Sequence, residues 1–183
     1  MSFRYEIRLS GEGGQGLVLA GKILAEAAAI YDDKNATQSQ SYGPEARGGA
    51  SRSDVIISDE EIDYPKALNI DLLLALTQES CNRYTRDLKD DGILLVDSEA
   101  VRDVPQGNFK IFKLPMVEIA KNEIGKAMVA NIVALGIIAS LIKIISEDAI
   151  ESAILARVPK GTENMNLKAF KIGLERGEAL QSD

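Results

Sequence analysis

FRYEIRLSGEGGQGLVLAGKILAEAAAI, residues 3–30, decides the fold. Phe3–Leu9 alternates, and its aromatic and β-branched residues mark a first strand. Gly11–Gln15 follows as a glycine-rich turn, and Gly16–Ile30, rich in alanine and leucine, follows as a helix. A G-x-G-x-x-G pattern (Gly11, Gly13, Gly16) gains meaning in this strand-turn-helix context. Glycines permit positive φ and close backbone approach, and a helix start offers unpaired N–H groups with partial positive charge. A phosphate can be held there without any lysine. The competing reading is a tight turn whose glycines serve packing alone. Four glycines in six residues exceed what such a turn requires.

Outward from this unit, strands and helices alternate. Asp32–Lys34 breaks the helix, and Asn35–Ser41 is a polar second strand. Tyr42–Ala50 has loop composition, with Pro44 and paired Gly48–Gly49. Asp54–Ser58, Asp71–Thr77, Gly92–Asp97 and Phe109–Leu114 read as further strands, and the apolar runs at 71–77 and 92–97 suit strands covered on both faces. Gln78–Leu88 reads as a helix, and Pro115 opens another through Asn122. From Ala127 the chain is helical: an apolar helix to Ile142, a second opened by a Ser146 cap and stopped by Pro159, and a last amphipathic one from Glu163. The expected architecture is a single domain over 1–183. It is a three-layer α/β/α, Rossmann-like fold with a mostly parallel or mixed sheet and a helical C-terminal third.

Composition removes several function classes. The chain has 183 residues, is 45% hydrophobic and carries a formal charge of −7 without a Lys/Arg-rich run, which argues against nonspecific nucleic-acid binding. Histidine is absent and Cys81 is the one cysteine, so the chain alone lacks the ligands for an iron–sulfur cluster or a structural zinc site, and a His-based triad is excluded. An intrachain disulfide is impossible too, which suits a reducing cytoplasm. Cys81 reads as a buried packing thiol. Met1–Leu9 is too short and charged for a signal peptide. Ala127–Ile142 is shorter than the ~20 residues that span a bilayer, and contains Asn131 and Ser140.

A dinucleotide site wants an acid at the end of the second strand, ~20 residues beyond the glycines. Asp32 and Asp33 have that spacing but precede the strand, which ends in Gln40 and Ser41. The phosphate half of the fingerprint is present and the ribose-selecting half is displaced. A second unusual stretch, Gln38–Arg52, combines polar side chains, an aromatic and two arginines. There Arg47 beside Gly48-Gly49 joins a guanidinium fork to a backbone nest suited to anions; its competing role is an ion pair with Glu45 or another surface carboxylate. If the first two strands are neighbours, both loops lie at one carboxyl edge, where ligands bind in open α/β sheets.

GEGGQG after a first strand, QSQSYGPEARGGASRSDVIIS and KAMVANIVALG, in this order, together resemble the gamma subunit or domain of pyruvate/2-oxoacid:ferredoxin oxidoreductases. The similarity covers nearly the whole chain, and the YGPEARGG form is most similar to the 2-oxoglutarate type. The resemblance implies an enzyme that converts a 2-oxoacid and coenzyme A to acyl-CoA and carbon dioxide and passes electrons to ferredoxin. It implies alpha, beta and ferredoxin-like delta partners, with thiamine diphosphate, Mg²⁺ and iron–sulfur clusters on those partners only. On this chain it implies no catalytic residue and no metal ligand. It points to Gly11, Gly13, Gly14, Gln15 and Gly16 as the contact to coenzyme A phosphate, and to Ser41, Tyr42, Arg47 and Gly48 as ligand or subunit contacts. Asn131 matches the family's asparagine in the apolar helix, where it serves either a structural hydrogen bond or the ligand. Two other readings stay open: a stand-alone nucleotide-binding dehydrogenase, and an assembly module without ligand.

Overall fold

The computed structural model describes residues 2–41 and 50–182. A six-stranded sheet in the order β2-β3-β1-β4-β5-β6 forms its centre. β1 (Arg4–Glu12), β4 (Ile70–Ala75), β5 (Leu88–Asp97) and β6 (Lys110–Leu114) run parallel. β3 (Ala50–Ser58) is antiparallel both to β1 and to β2 (Asn35–Gln40). The sheet is therefore mixed, and the first two strands are not neighbours, because β3 lies between them. The link from β2 to β3, residues 41–49, is shorter than the dozen or so residues that a parallel crossover takes, so β3 returns antiparallel. Its reversal leaves β2 running the same way as β1, and the chain exits both strands at one edge.

One sheet face buries Ile7, Leu9, Val55, Ile57, Leu72 and Leu74 beneath α1 (Leu17–Glu26), α4 (Ala130–Ile142), α5 (Glu147–Arg157) and α6 (Glu163–Gln181). The other buries Ile56, Leu73, Ala75, Leu94 and Val96 against α2 (Gln78–Tyr84) and its neighbouring coil. The three expected layers form, unequally filled. Every residue of α4 from Ala130 to Ser140 is buried, which accounts for a helix that is apolar nearly all round and yet too short to span a bilayer. No helix among the described residues is long and apolar enough to cross a membrane.

Several boundaries differ from the sequence reading. β1 continues to Glu12, so Gly11 is a strand residue paired with Ser51 rather than part of the turn. The helix expected over 78–88 ends at Tyr84, and after a short 3-10 turn Leu88 opens β5. Pro115 caps α3 (Met116–Ile119) from outside, and the helix widens into a π turn through Ile124. α1 likewise runs on into a π turn over Ala27–Tyr31. Cys81 is buried with its Sγ 3.7 Å from Thr85 Oγ1, and burial pushes the thiol's pKa up, as befits an inert packing residue.

Asp32 explains how the connection after α1 is fixed. Its carboxylate accepts from Ser146 N–H (2.6 Å) and Ser146 Oγ (2.7 Å), while the same Oγ accepts from Ala149 N–H (3.2 Å) to cap α5. Burial alone would raise the Asp32 pKa, but the two Ser146 donors and nearby Lys34 outweigh it and hold the carboxyl below its ordinary value. A depressed folded-state pKa means stabilisation that is complete above the unfolded value near ~4 and is lost as pH falls through the folded one. Asp32→Ala is expected to cost about 1–2 kcal/mol at pH 7 in chemical denaturation, with the gap to wild type closing at acid pH.

Candidate functional site

The glycine turn stands at the carboxyl edge of the sheet. Leu76 N–H donates to Ser10 O at 3.0 Å, which ties the exits of β1 and β4 together just before the turn. Gln15 folds back on the strand end: its Oε1 accepts from Glu12 N–H at 2.6 Å and covers the face of Gly11 that a Cβ would occupy. Gln15 and Gly11 thus shape the turn from within. At Gly13 and Gly14, by contrast, an added Cβ would meet nothing within 4 Å, and Gly14 sits at φ 89. The open part of the junction is these two residues.

Gly16 closes the turn in the left-handed region, φ 73, as the residue that caps α1, and no side chain among the described residues caps this helix start. Its carbonyl accepts from Ala20 N–H (3.0 Å) and from Asn131 Nδ2 (3.0 Å). Asn131 is buried in α4 and its Oδ1 accepts from Ile132 N–H at 2.9 Å, so both ends of the amide are engaged. Asn131 therefore carries the structural hydrogen bond anticipated for a polar group in an apolar helix. It locks the start of α1 to the start of α4, across 115 residues of sequence.

A cleft of about 200 Å³ opens beside the turn. Gly14, Gly16 and Leu19 form one wall, Met128, Val129 and Asn131 a second, and Pro159, Thr162 and Met165 a third. Lys126 also lines it, and Met128 is 67% exposed there. The starts of α1, α4 and α6 meet at this cleft, and none of the three has a side-chain cap. Helix starts present the positive ends of helix dipoles; at α4 Ala130 N–H is taken by Ala127 O and Ile132 N–H by Asn131 Oδ1, so the site draws on the starts of α1 and α6 for open N–H groups, while the methionine and valine side chains supply apolar lining. The arrangement suits an anionic group joined to an apolar arm. The sequence reading missed Lys126, Met128 and Met165. The signal for Lys126 and Met128 was their place directly before an apolar helix, whereas Met165, inside α6, carried none.

The other residues singled out from sequence fall elsewhere. Ser41 N–H donates to Arg52 O (3.3 Å), and the Ser41 Oγ is buried without a hydrogen-bond partner among the described residues. Strand alternation puts its side chain in one row with Arg52 and Ser10, on the α2 face of the sheet and not on the α1 face. Tyr42, Arg47 and Gly48 lie outside the described residues. Asp32, the candidate ribose ligand, is engaged by Ser146 before β2 begins, at the end of the strand away from the glycine turn. The ribose-selecting half of a dinucleotide site is thus not assembled. Among the described residues no group of three or more Asp, Glu, Cys or His side chains could hold a metal ion.

Comparison with known proteins gives a consistent result. The profile of the family described as pyruvate ferredoxin/flavodoxin oxidoreductase matches residues 6–176. The 2-oxoglutarate synthase subunit KorC of Methanocaldococcus jannaschii is 50% identical over 182 residues, 98% of this chain and 97% of that one. The solved gamma subunit of a keto/oxoacid ferredoxin oxidoreductase from Geobacter sulfurreducens superposes with a TM-score of 0.88 at 54% identity, covering 96% of this chain and 99% of that chain. A 2-oxoglutarate:ferredoxin oxidoreductase from Magnetococcus marinus gives a TM-score of 0.83 at 22% identity over 96% of this chain but 31% of its own, so the same fold recurs as one part of a longer polypeptide.

Proposed function

The chain belongs to the pyruvate ferredoxin/flavodoxin oxidoreductase family, and from that premise we propose that it is the gamma subunit of a 2-oxoglutarate-type 2-oxoacid:ferredoxin oxidoreductase, binding coenzyme A at the glycine turn. The complex converts the 2-oxoacid and coenzyme A to acyl-CoA and carbon dioxide, with ferredoxin as electron acceptor. The alpha, beta and ferredoxin-like delta partners hold thiamine diphosphate, Mg²⁺ and the iron–sulfur clusters. A single buried cysteine and no histidine do not fit a cluster here, so this chain carries none of the redox chemistry and is inactive alone. Its place is the cytoplasm.

The observation that carries the reading is the meeting of three helix starts without side-chain caps at an apolar-lined cleft beside Gly13-Gly14. Coenzyme A joins a pyrophosphate to a long, weakly polar arm that ends in a thiol. The bare backbone of Gly13 and Gly14 and the start of α1 hold the phosphates. Met128, Val129 and Met165 pack along the arm, and Lys126 adds a cation at the rim. This chain's contribution is position: fixing the arm makes the thiol's encounter with a partner-held acyl group effectively unimolecular.

Gly13→Val tests the assignment. The Cβ position is free of neighbours and φ is not in the left-handed region, so the fold tolerates the side chain, while a phosphate loses its approach. In the reconstituted complex the KM for coenzyme A is expected to rise about ten-fold or more with kcat little changed, the mark of lost binding shared by ground and transition states. An unchanged KM refutes the site.

A further inference from the structure

Among the described residues β2 is an edge strand, and its own sequence does not guard the edge. Asn35–Gln40 reads NATQSQ, without the lysine, proline or bulge that natural edge strands use against pairing with another chain. Ser41 N–H points into the sheet toward Arg52 O, so by two-residue alternation the backbone N–H groups of Ala36 and Gln38 point outward from it.

A groove flanks the strand on each face. On the helix side, Ala36 and Gln38 share a groove with Ala25, Ala29 and Ile30, and Ile30 is 70% exposed. Lys22 stands over this groove, where the Glu26 carboxylate is already paired with Arg157. On the opposite face, Ser39 shares a groove with Arg52, Lys66 and Leu68. Its one carboxylate, Asp54, is held by Arg8 Nε at 2.8 Å and Arg8 Nη2 at 3.1 Å and lies 3.7 Å from Arg52 Nε, so the cation of this groove that no carboxylate among the described residues engages, in a chain of net charge −7, is Lys66.

We propose that β2 receives an extended strand from a partner subunit, whose residues alternate between apolar and acidic side chains. Main-chain hydrogen bonds to the outward groups of Ala36 and Gln38 extend the sheet, apolar residues enter the groove at Ala29 and Ile30, and acidic residues meet Lys66. A second copy of this chain is the poorer occupant, because NATQSQ pairing with itself brings neither an acidic nor a large apolar side chain to either groove. The inference rests on the reading of the chain as one subunit of a complex, but not on coenzyme A.

Amide hydrogen exchange across residues 35–40, compared between the isolated chain and the natively purified complex, tests this. Exchange at Ala36 and Gln38 is expected to slow about ten-fold or more in the complex. Ala36→Pro removes only an outward donor, which an edge strand tolerates, and is expected to weaken subunit retention at least about ten-fold while the isolated variant keeps its fold. Lys66→Glu is expected to weaken retention as well, and Lys66→Arg to leave it intact. Equal exchange of β2 in the two states overturns the proposal while leaving the subunit reading in place. Protection that appears in the concentrated isolated chain overturns it in favour of self-pairing. If no other chain co-purifies, both readings fail.

Discussion

Gly173→Val is expected to lower the unfolding midpoint of the isolated chain by about 8–16 °C, corresponding to about 4 kcal/mol, at 2–4 °C per kcal/mol for a domain of this size. The argument rests on how closely α4 and α6 cross. A Cβ at Gly173 would lie within 2.9 Å of Gly136 Cα and closer still to the Val133 carbonyl. One at Gly136 would lie 2.7 Å from Leu174 N and 2.8 Å from Gly173 Cα. These neighbours are backbone, which cannot swing aside as a long side chain can. The two helices would have to separate, opening a core that includes Phe170, Val133 and Ile137. Gly173→Ala makes the test sharper. Were Gly173 an ordinary helical residue, alanine would stabilise by up to about 1 kcal/mol through helix propensity. The crossing reverses that sign, and thermal melts showing the alanine variant as stable as wild type or more so would sink the account.

That crossing shows what the sequence made legible and what it did not. Gly136 and Ser140, and Ala169, Gly173 and Gly177, recur at four-residue spacing on two helices, yet small residues at that spacing do not say which helices meet. Apolar content, a local property, did identify α1, α4 and α6, and Ser146 caps α5 as its position promised. The position of β3 was not legible: strand order is decided by which faces pair at long range, and the run DVIIS is as suited to a parallel neighbour as to an antiparallel one. At the site, the strand-turn-helix unit located the junction correctly. Local sequence could not divide its glycines between the open pair, Gly13 and Gly14, and the pair pressed by Gln15 and Asn131, because Asn131 arrives from a helix 115 residues away. For the same reason the cleft, whose walls come from three helices distant in sequence, emerged only from the fold.

The other large effect is expected at Arg8, which the sequence reading passed over as one of the polar positions of an alternating strand. Its guanidinium is buried against the sheet, with Nε and Nη2 on the two Asp54 oxygens, Nη1 on Asp87 at 2.6 Å, and the Tyr84 ring centroid 5.1 Å away. Burial on its own disfavours the charged form. The hydrogen bonds and charges of Asp54 and then Asp87 reverse that and raise the Arg8 pKa above its ordinary value. A raised pKa in a cation means stabilisation that is complete below the unfolded value and lost only on passing above it, so the contribution is constant across neutral pH. Arg8→Leu is expected to destabilise by about 3–5 kcal/mol, because Asp54 is left in the sheet without its main partner. The cost belongs chiefly to a buried carboxylate left with only the looser Arg52 pair at 3.7 Å and not to the loss of a net attraction, and a double substitution separates the two. Arg8→Leu with Asp54→Leu removes both charges, Asp87 remains beside Arg86, and at least half the lost stability is expected to return in urea denaturation. If the double variant is instead less stable than Arg8→Leu alone, the ion pair holds β1 to β3 by its own attraction, and the assignment of the penalty to a buried carboxylate stripped of Arg8 is wrong.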